Sequence, residues 1–484
     1  MNRHELQPKS GRGRGNNAPQ PVRTLRDWLD HLAAHDRLAV LKPNVGLKFE
    51  LSAYAKRLDG QRATVFPKPL GDKPGGHPIP VVSGLVSDRG WMAEAMGVEP
   101  SEMLAEFQKA AENPLPWEEV KAAPAQEVVH RGADLDLATI LPLPTHNEHD
   151  GGPYIAAGLM IVRNPKTGKQ NVSIHRCQLT GPNRLGVLVL PRHTFVFQRM
   201  AEEAGEPLDA AIVVGVDPLT LLASQAIVPI DHDELEIAGA LQHRPLPVVK
   251  CVASDIRVPA EAEIVVEGRF LPNVREPEGP FGEFPQYYGE RAPREVMEIV
   301  AVTHRKDAIF HTIVGGGLEH QLLGGIPKEA TLLTHLRRNF PNVLDVHLSP
   351  GGVMRFHLFV KIRKTQEGQG KNVILGAFAG SFDLKHVIVV DEDVDIHNPT
   401  EVEWAVATRF QADRDLVIVP DSQGSKLDPS NRDGVGAKMG IDATKPFKAP
   451  EMVFKRIRVP GEETIDVAEV LRRSGGDWRT ALKS

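Results

Sequence analysis

Hydrophobic positions near the start of the chain follow a helical period. Leu25, Trp28, Leu29 and Leu32 fall on one face of a helix, and Thr24 before them is a residue type that caps helix N-termini. Ordered structure is therefore expected to begin with this helix.

The rest of the first third mixes strand and helix patterns. Short apolar runs predict strands over 38–41 and 79–86, and the spacing over 101–111 predicts an amphipathic helix. This part of the chain is therefore expected to be an α/β unit.

Strand patterns dominate the middle third. Apolar runs over 154–162 and 171–179 predict two strands, and the turn residues at 164–168 between them predict a hairpin. Further strands are predicted over 185–190, 211–215, 248–253, 263–267, 296–303 and 308–314. Many strands with few helical patterns favour a barrel or a sandwich.

Strands and helices alternate in the last third. Helices are predicted over 328–338, 373–382 and 399–409, and strands over 356–362, 386–390 and 416–420. The strand–helix–strand order predicts parallel pairing of these strands.

The composition is typical of a globular protein of about three domains, at roughly 150 residues per domain. Of 484 residues, 41% are hydrophobic and 25% are charged, and 43 glycines with 39 prolines indicate many turns. The net charge of -6 argues against a nucleic-acid-binding protein, which usually carries a basic excess.

Several locations and bonding schemes are disfavoured. No apolar run approaches about 18 residues and the N-terminus has no apolar leader, so neither a membrane span nor a secretory signal is expected. Cys177 and Cys251 are too few for a disulfide framework. These features favour a cytoplasmic protein. Residues 1–23, rich in Gly, Asn and Pro, are expected to be a disordered tail.

Two weaker patterns contain possible metal ligands. Asp391, Asp393 and Asp395 imitate the start of a calcium-binding loop without its later ligands, which favours a solvated acidic loop. His146 and His149 lie in a Pro-rich stretch, where they are either polar surface residues or metal ligands.

The segment 278–283 carries the clearest candidate chemistry. Glu278 and Glu283 flank a Gly-Pro-Phe-Gly loop, which allows close approach of a ligand to the backbone. Two carboxylates in a protected site can divide the roles of ionised and protonated group. Arg176 lies on the predicted hairpin. By themselves these residues also fit a surface turn and an arginine paired with a surface acid.

Four separated strings together resemble the UbiD family of decarboxylases. They are NVSIHRCQLTG at 171–181, DELEIAGAL at 233–241, EGPFGE at 278–283 and SKLDPS with GAKMGIDAT between 425 and 444. The resemblance covers roughly residues 125 to 445. It implies an α+β multidomain fold. After the tail come an N-terminal α/β domain (24–125), a cofactor-binding split β-barrel (126–315) and a C-terminal α/β oligomerisation domain (316–484).

The resemblance also implies a reaction and its cofactors. Members of the family reversibly decarboxylate aromatic, heteroaromatic or α,β-unsaturated acids with prenylated FMN, which a flavin prenyltransferase supplies. Mn²⁺ or Mg²⁺, and K⁺, tie the cofactor phosphate to the protein, and the relatives are homodimers or homohexamers. Asn171, His193 and Glu234 match the family's metal ligands, and such oxygen-rich sets suit these ions.

The family's catalytic trio falls on Glu278, Arg176 and Glu283. The resemblance implies a covalent substrate–cofactor adduct, protonation of the carbon by Glu283, and a substrate carboxylate held by Arg176 while it stays paired with Glu278. A buried Glu283 next to Glu278 is expected to have a raised pKa, with Glu278 ionised. The implied cofactor-binding set is Asn171, Ser173, Ile174, Arg176, Arg192, His193, Glu234 and Lys385.

Some points stay open. Asn171 and Arg176 are five residues apart, so an ideal strand would place them on opposite faces unless it bends. Four residues either line the substrate pocket or are ordinary loop residues: Thr312, His320, Leu322 and Leu323. His320 could contact a ring hydroxyl. The alternatives to a decarboxylase are an ordinary FMN-binding reductase and a non-catalytic cofactor-binding subunit of a carboxylase complex.

Overall fold

A computed structural model describes residues 21–71, 75–132 and 135–473. The predicted tail therefore lies outside the described residues, apart from its last three. Helix α1 (Leu25–Ala34) confirms the first prediction: the Thr24 hydroxyl accepts a hydrogen bond from the Asp27 amide at 3.1 Å, and the apolar face is buried. Among the described residues, no helix is long and apolar enough to cross a bilayer.

The N-terminal part contributes three strands to a small mixed sheet and two strands to other sheets, and it also contains helices. Its elements are β1 (Leu38–Val40), α2 (Glu50–Leu58), β2 (Ala63–Phe66), β3 (Val81–Ser83), α3 (Arg89–Met96), α4 (Met103–Glu112), β4 (Glu118–Glu119), β5 (Val128–Arg131) and α5 (Leu137–Ile140). β1 is parallel to β2, and β2 is antiparallel to β3. β3 is shorter than predicted. It ends before Gly84, which has a φ of 81° and donates its amide hydrogen to Glu319 instead of to a strand.

The central part contains long strands and helices. Its elements are β6 (Tyr154–Ile155), β7 (Leu159–Arg163), β8 (Gln170–Ile174), β9 (Cys177–Gly181), β10 (Arg184–Val187), α6 (His193–Ala204), β11 (Leu208–Val214), α7 (Pro218–Ala223), α8 (Glu234–Leu241), β12 (Pro247–Lys250), β13 (Arg257–Pro259), β14 (Ile264–Glu278), β15 (Phe281–Gly282), β16 (Tyr288–Gly289), β17 (Ala292–His304) and β18 (Phe310–His311). The expectation of few helices here is wrong, since α6, α7 and α8 lie between the strands.

Both edges of the main sheet are formed by strands of the same hairpin. Its order is β6-β9-β10-β17-β14-β11-β7-β8, and β5 pairs with β17. β6 and β7 are successive pieces of one hairpin arm, and β9 and β8 are pieces of the other. The two ends of the path are thus joined by one hairpin, which closes the sheet into a barrel. Apolar side chains such as Met160, Ile212 and Phe270 are fully or almost fully buried in its core.

The predicted hairpin strands are interrupted. β6 and β7 are separated by residues 156–158, and β8 and β9 by His175 and Arg176. At the second break the ring Nδ1 of His175 donates to the Leu188 carbonyl at 3.0 Å. The predictions of two continuous strands are therefore wrong in detail, and the break has a consequence for the site.

The C-terminal part is a second α/β unit. Its elements are α9 (Leu318–Asn339), β19 (Val343–Leu348), β20 (His357–Ile362), α10 (Gln369–Gly380), β21 (His386–Asp391), α11 (Pro399–Arg409), α12 (Ala412–Asp415), β22 (Leu416–Gln423), β23 (Val435–Ala443) and α13 (Val467–Arg473). α9 begins ten residues before the predicted start, because Gly324, Gly325 and Pro327 weaken the helical signal there.

One predicted pairing in this sheet is wrong. The order is β19-β20-β21-β23-β22. β20 and β21 are parallel as predicted, but β23 separates β21 from β22 and runs antiparallel to β22. The glycines of β23 hid this strand from the sequence pattern. Gly440 is needed because a Cβ there would collide with Ile374 of α10.

Candidate active site

A buried arginine and glutamate form the centre of the site. Arg176 lies in the break between β8 and β9, and Glu278 is the last residue of β14. Nε of Arg176 donates to Oε1 of Glu278 at 3.0 Å, and Nη2 donates to Oε2 at 2.8 Å. Glu278 is 0% exposed. The two parallel bonds fix the plane of the guanidinium.

The same guanidinium also contacts the second carboxylate. Nη1 of Arg176 donates to Oε1 of Glu283. Burial raises the pKa of Glu283, while the charge of Arg176 opposes the shift. The direction is the one expected for Glu283. The contact itself was not expected, because the resemblance implied a pair with Glu278 only.

Neighbouring turns hold the loop that carries the two glutamates. Glu283 opens the turn between β15 and β16, where its amide donates to the Tyr287 carbonyl at 2.9 Å. A Cβ at Gly289 would lie 2.8 Å from Nη1 of Arg176, so this glycine makes room for the guanidinium.

Three residues that hold this loop were missed in the sequence. Gly279 donates its amide hydrogen to the Gln178 side chain at 2.8 Å, and Gly282 donates to Asp150 at 2.9 Å. The Tyr154 hydroxyl donates to Oε1 of Glu278 at 3.0 Å. Gly151, which follows Asp150, is also needed here, because a Cβ at this position would collide with the Gly279 carbonyl.

Two of the predicted metal ligands touch each other. Oδ1 of Asn171 accepts a hydrogen bond from Nδ1 of His193 at 3.0 Å. Adjacent ligands of an octahedral Mg²⁺ ion are also about 3.0 Å apart, because the metal–oxygen bonds are about 2.1 Å long. Burial lowers the pKa of His193 and so favours the neutral ring, which is the form that binds a metal.

The third predicted ligand is a buried carboxylate. Glu234 is the first residue of α8, is 3% exposed and accepts the Val172 amide hydrogen at 2.7 Å. Burial raises its pKa well above the ordinary value. Within the described residues no cationic side chain pairs with it, so a metal ion would compensate its charge. The residues present therefore fit a divalent ion.

The strand break resolves the question of the two faces. Asn171 and Ser173 lie on one face of β8, where Asn171 donates to Thr194 at 3.2 Å and Ser173 contacts the same hydroxyl. Arg176 is the second residue after the end of β8, so the alternation of side chains between the two faces of a strand no longer applies to it.

The start of α6 suits an anion. No side chain caps its N-terminus at Arg192, so the first amide hydrogens of the helix stay available. Arg192 is exposed, His193 is the first residue of the helix, and Ile174 at the end of β8 is half-buried. A phosphate next to His193 would meet these donors.

Not every predicted site residue joins this group. Nζ of Lys385 donates to Asp428 at 2.8 Å and to Ser430 at 2.5 Å. Thr312 is buried and bonded to His146 at 2.7 Å. Leu322 and Leu323 pack in the main core as residues of α9, not of a loop.

His320 also lies on α9, in the first turns of the helix. Its Nδ1 accepts the Gly316 amide hydrogen at 3.3 Å, and burial lowers its pKa to about 4. Its ring stands edge-on to Phe284 with centroids 6.3 Å apart, which puts it beside the residue after Glu283.

The weaker metal patterns have other partners. His146 is buried, not a surface residue, and burial lowers its pKa to about 4. Asp391 and Asp393 pair with Arg409, each at 2.8 Å, and so form a structural network. Within the described residues, no group of three or more His, Cys, Asp or Glu side chains could hold a metal. The set around Asn171 contains two such side chains, His193 and Glu234, together with an amide.

Models of three domains of 3-octaprenyl-4-hydroxybenzoate carboxy-lyase match the chain. The N-terminal domain matches residues 29–111, the Rift-related domain 118–318 and the C-terminal domain 321–443. The anhydromevalonate phosphate decarboxylase of Methanothermobacter thermautotrophicus is 39% identical over 434 residues, which are 90% of this chain and 99% of that protein.

Solved structures are similar over almost the same length. The UbiD-class enzyme HmfF from Pelotomaculum thermopropionicum in complex with FMN has a TM-score of 0.90 and 50% identity, covering 92% of this chain and 99% of that one. Its evolved dimeric form in complex with prFMN has a TM-score of 0.86 and 46% identity, covering 93% and 100%. The α+β multidomain fold expected from the sequence is confirmed by these matches.

Proposed function

This chain belongs to the UbiD family of carboxy-lyases, and on that premise we propose that it reversibly decarboxylates an aromatic, heteroaromatic or α,β-unsaturated acid on bound prenylated FMN. That the chain is a decarboxylase of this class follows from its relatives; the type of acid and the cofactor are the proposal. The observation that carries it is the buried guanidinium of Arg176 joined to both Glu278 and Glu283.

Arg176 binds the reacting carboxylate in this proposal. Two of its N–H groups stay with Glu278, which holds the guanidinium in place. When Glu283 takes up a proton, its attraction to Nη1 weakens, and Nη1 becomes free for the carboxylate of the substrate. The two glutamates therefore have different tasks although they share one arginine.

Glu283 supplies the proton that replaces CO₂. Bound prenylated FMN would supply covalent activation of the substrate and an acceptor for the electron pair of the carbon–carbon bond that breaks. Glu283 must be protonated before it can donate to that carbon, and burial favours the protonated form.

The cofactor phosphate is proposed to lie between β8 and the start of α6. Asn171, His193 and Glu234 would hold Mn²⁺ or Mg²⁺, with K⁺ beside it, and these ions would neutralise the phosphate. Ser173, Ile174 and Arg192 would contact the cofactor itself. Lys385 now pairs with Asp428, and it would contact the phosphate after releasing this carboxylate.

The remaining parts of the proposal concern partners. A flavin prenyltransferase would supply the cofactor, and the chain would assemble as a homodimer or homohexamer. A dimeric form of a similar enzyme supports assembly. Thr312, His320, Leu322 and Leu323 remain proposed pocket residues, and of these His320 has the most direct support, because it stands against Phe284.

A pair of variants tests the role of Glu283. Glu283→Gln removes the proton donor but keeps the shape, so protein loaded with prenylated FMN should keep its flavin absorbance and lose CO₂ release by about 100-fold or more. Glu290→Gln, an exposed glutamate of the same region, is the control and should release CO₂ like the wild type. Wild-type turnover in Glu283→Gln would refute the assignment. Flavin bound to a wild-type protein that releases CO₂ from no acid would point to a reductase or a carrier subunit.

A further inference from the structure

Tyr154 is a buried tyrosine that the proposed mechanism leaves without a role. It lies on β6, is 0% exposed, and its hydroxyl donates to Oε1 of Glu278 at 3.0 Å. The same oxygen accepts a hydrogen bond from Nε of Arg176, and Oε2 accepts one from Nη2. The carboxylate of Glu278 therefore receives three hydrogen bonds, and Tyr154 supplies one of them from an uncharged group.

The hydroxyl has a second acceptor within reach, but that acceptor already has a partner. The Pro280 carbonyl oxygen lies 3.3 Å from the hydroxyl, and it accepts the amide hydrogen of Gly151 at 2.8 Å. The single hydrogen of the hydroxyl therefore gains most at Glu278, where the distance is shorter and the acceptor can carry a charge.

The ring of Tyr154 belongs to the apolar wall beside the guanidinium. It packs against Phe281 with ring centroids 4.5 Å apart, and Phe281 is itself buried. The guanidinium of Arg176 lies over the Phe281 ring, 5.5 Å from its centroid. Because these two rings cover this side of the ion pair, solvent does not replace a hydrogen bond that is lost there.

Several ionisable groups surround this contact. Those that face Glu278 or the Tyr154 hydroxyl are Arg176, Glu283, Cys177 and Asp150. Burial raises the pKa of Tyr154 and of Cys177, so both keep their protons over the working pH range. The hydroxyl of Tyr154 is therefore a donor to Glu278 at every pH at which the reaction is measured.

Binding of the substrate would place a greater demand on this donor. In the proposed function Arg176 shares its charge between Glu278 and the reacting carboxylate, so two anions meet one cation. A hydroxyl stabilises the buried anion without adding a second cation that would compete for the substrate. Tyr154 is placed to do this, because its hydroxyl contacts the same oxygen of Glu278 as Nε of Arg176 does.

We propose that Tyr154 is a positioning residue of the reaction: its hydroxyl keeps Glu278 ionised, and Glu278 in turn keeps the Arg176 guanidinium in the orientation that binds the reacting carboxylate. This inference rests on the proposed function. Tyr154 acts through Glu278 and does not touch the reacting atoms.

The pH profile of CO₂ release separates this role from a structural one. Tyr154→Phe keeps the ring and removes the hydroxyl, and it is compared with the wild type, both loaded with prenylated FMN, on benzoate, nicotinate and cinnamate. Without the third hydrogen bond Glu278 takes up a proton more readily, so the acidic limb of kcat should move up by about one pH unit or more. A structural loss would instead lower kcat by the same factor at every pH. Tyr54→Phe, an exposed tyrosine of α2, is the control and should keep the wild-type profile.

Unfolding in denaturant tests the contact without flavin or turnover. Tyr154→Phe should raise the unfolding equilibrium constant about ten-fold at pH 7, and by about three-fold or less in the Glu278→Gln background, where the acceptor is uncharged. A Tyr154→Phe protein that folds only together with Glu278→Gln would support the same contact.

The contrary outcomes are distinct. An unshifted acidic limb, equal losses of stability in the two backgrounds, or failure of Tyr154→Phe to fold in both would overturn the role of Tyr154 and leave the proposed function in place. If the wild type releases CO₂ from none of the three acids, the proposed function fails for these acids, and the comparison of stabilities alone decides on Tyr154.

Discussion

At the residue scale, one guanidinium bridges two carboxylates that need different protonation states. Arg176 gives two of its donors to Glu278 and one to Glu283. The bidentate pair resists exchange because two bonds must break together, whereas the single bond to Glu283 is easily given up. The geometry therefore favours a fixed Glu278 and an exchangeable Glu283.

The pH dependence of turnover should report on Glu283. Its folded pKa is raised by burial, so the protonated donor is present below that pKa and is lost as the pH rises through it. The turnover number kcat at saturating substrate should therefore fall on an alkaline limb that lies above the ordinary glutamate pKa of about 4.3. A kcat that rises with pH over the same range would contradict this role, and Glu290→Gln should keep the wild-type limb.

Removing Arg176 should destabilise the protein. Arg176→Met leaves Glu278 and Glu283 buried without their cation, which costs about 3–5 kcal/mol of unfolding free energy at pH 7. The loss should shrink at pH 5, where carboxylates take up protons more readily. Denaturant unfolding measures both values. The double variant Arg176→Met with Glu278→Gln should lose less than Arg176→Met alone, and an equal or larger loss would argue against the charge explanation.

Only some of the residues of this site could be predicted from the sequence. Glu278, Glu283 and Arg176 could be found because their short strings resemble a known family. Tyr154 and Asp150 hold the same loop but lie in ordinary strand and turn patterns, and Gln178 lies in the string 171–181 without a sign of its contact. Their contacts span more than one hundred residues of sequence, which no local pattern encodes.

At the element scale, interruptions of regular structure build the site. The break at His175 and Arg176 turns Arg176 toward Glu278, and the short hairpin of β15 and β16 carries Glu283. A sequence pattern of period two cannot show such a break, because the flanking residues continue the strand pattern. Glycines then allow the surrounding backbone to approach these turns.

A single glycine next to the β15–β16 hairpin should prove sensitive. A Cβ at Gly315 would collide with the Gly282 carbonyl, so Gly315→Ala should displace Glu283 and lower kcat by about 10- to 100-fold. Gly351→Ala is the control, because its nearest neighbour would be 3.6 Å away. Steady-state CO₂ release measures both variants. If Gly315→Ala had the same kcat as Gly351→Ala, the position of the β15–β16 hairpin would not limit turnover.

At the scale of the whole molecule, the C-terminal segment points to assembly. Between residues 451 and 473 many apolar side chains are exposed, including Met452 at 74%, Val453 at 68% and Ile457 at 101%. The segment is held to the body by Arg456, which pairs with Glu401 and lies over the Trp404 ring at 4.3 Å. Exposed apolar groups in such number are typical of an interface.

The oligomeric state should depend on this segment. The full chain is expected to be a dimer or larger, and a variant that ends at Pro450 should shift to smaller species, because the apolar side chains no longer bury against a second copy. Light scattering coupled to size exclusion measures the mass of each. A monomeric full chain, or an unchanged mass after truncation, would contradict this.

The most direct test of the central claim is to identify the cofactor and follow the reaction it supports. The protein is produced with and without a flavin prenyltransferase, the released small molecule is identified by mass, and CO₂ release is measured on a panel of acids. The account predicts prenylated FMN, with CO₂ release only when the prenyltransferase is present. Ordinary FMN or no flavin in its presence, or CO₂ release that does not depend on it, would contradict the account.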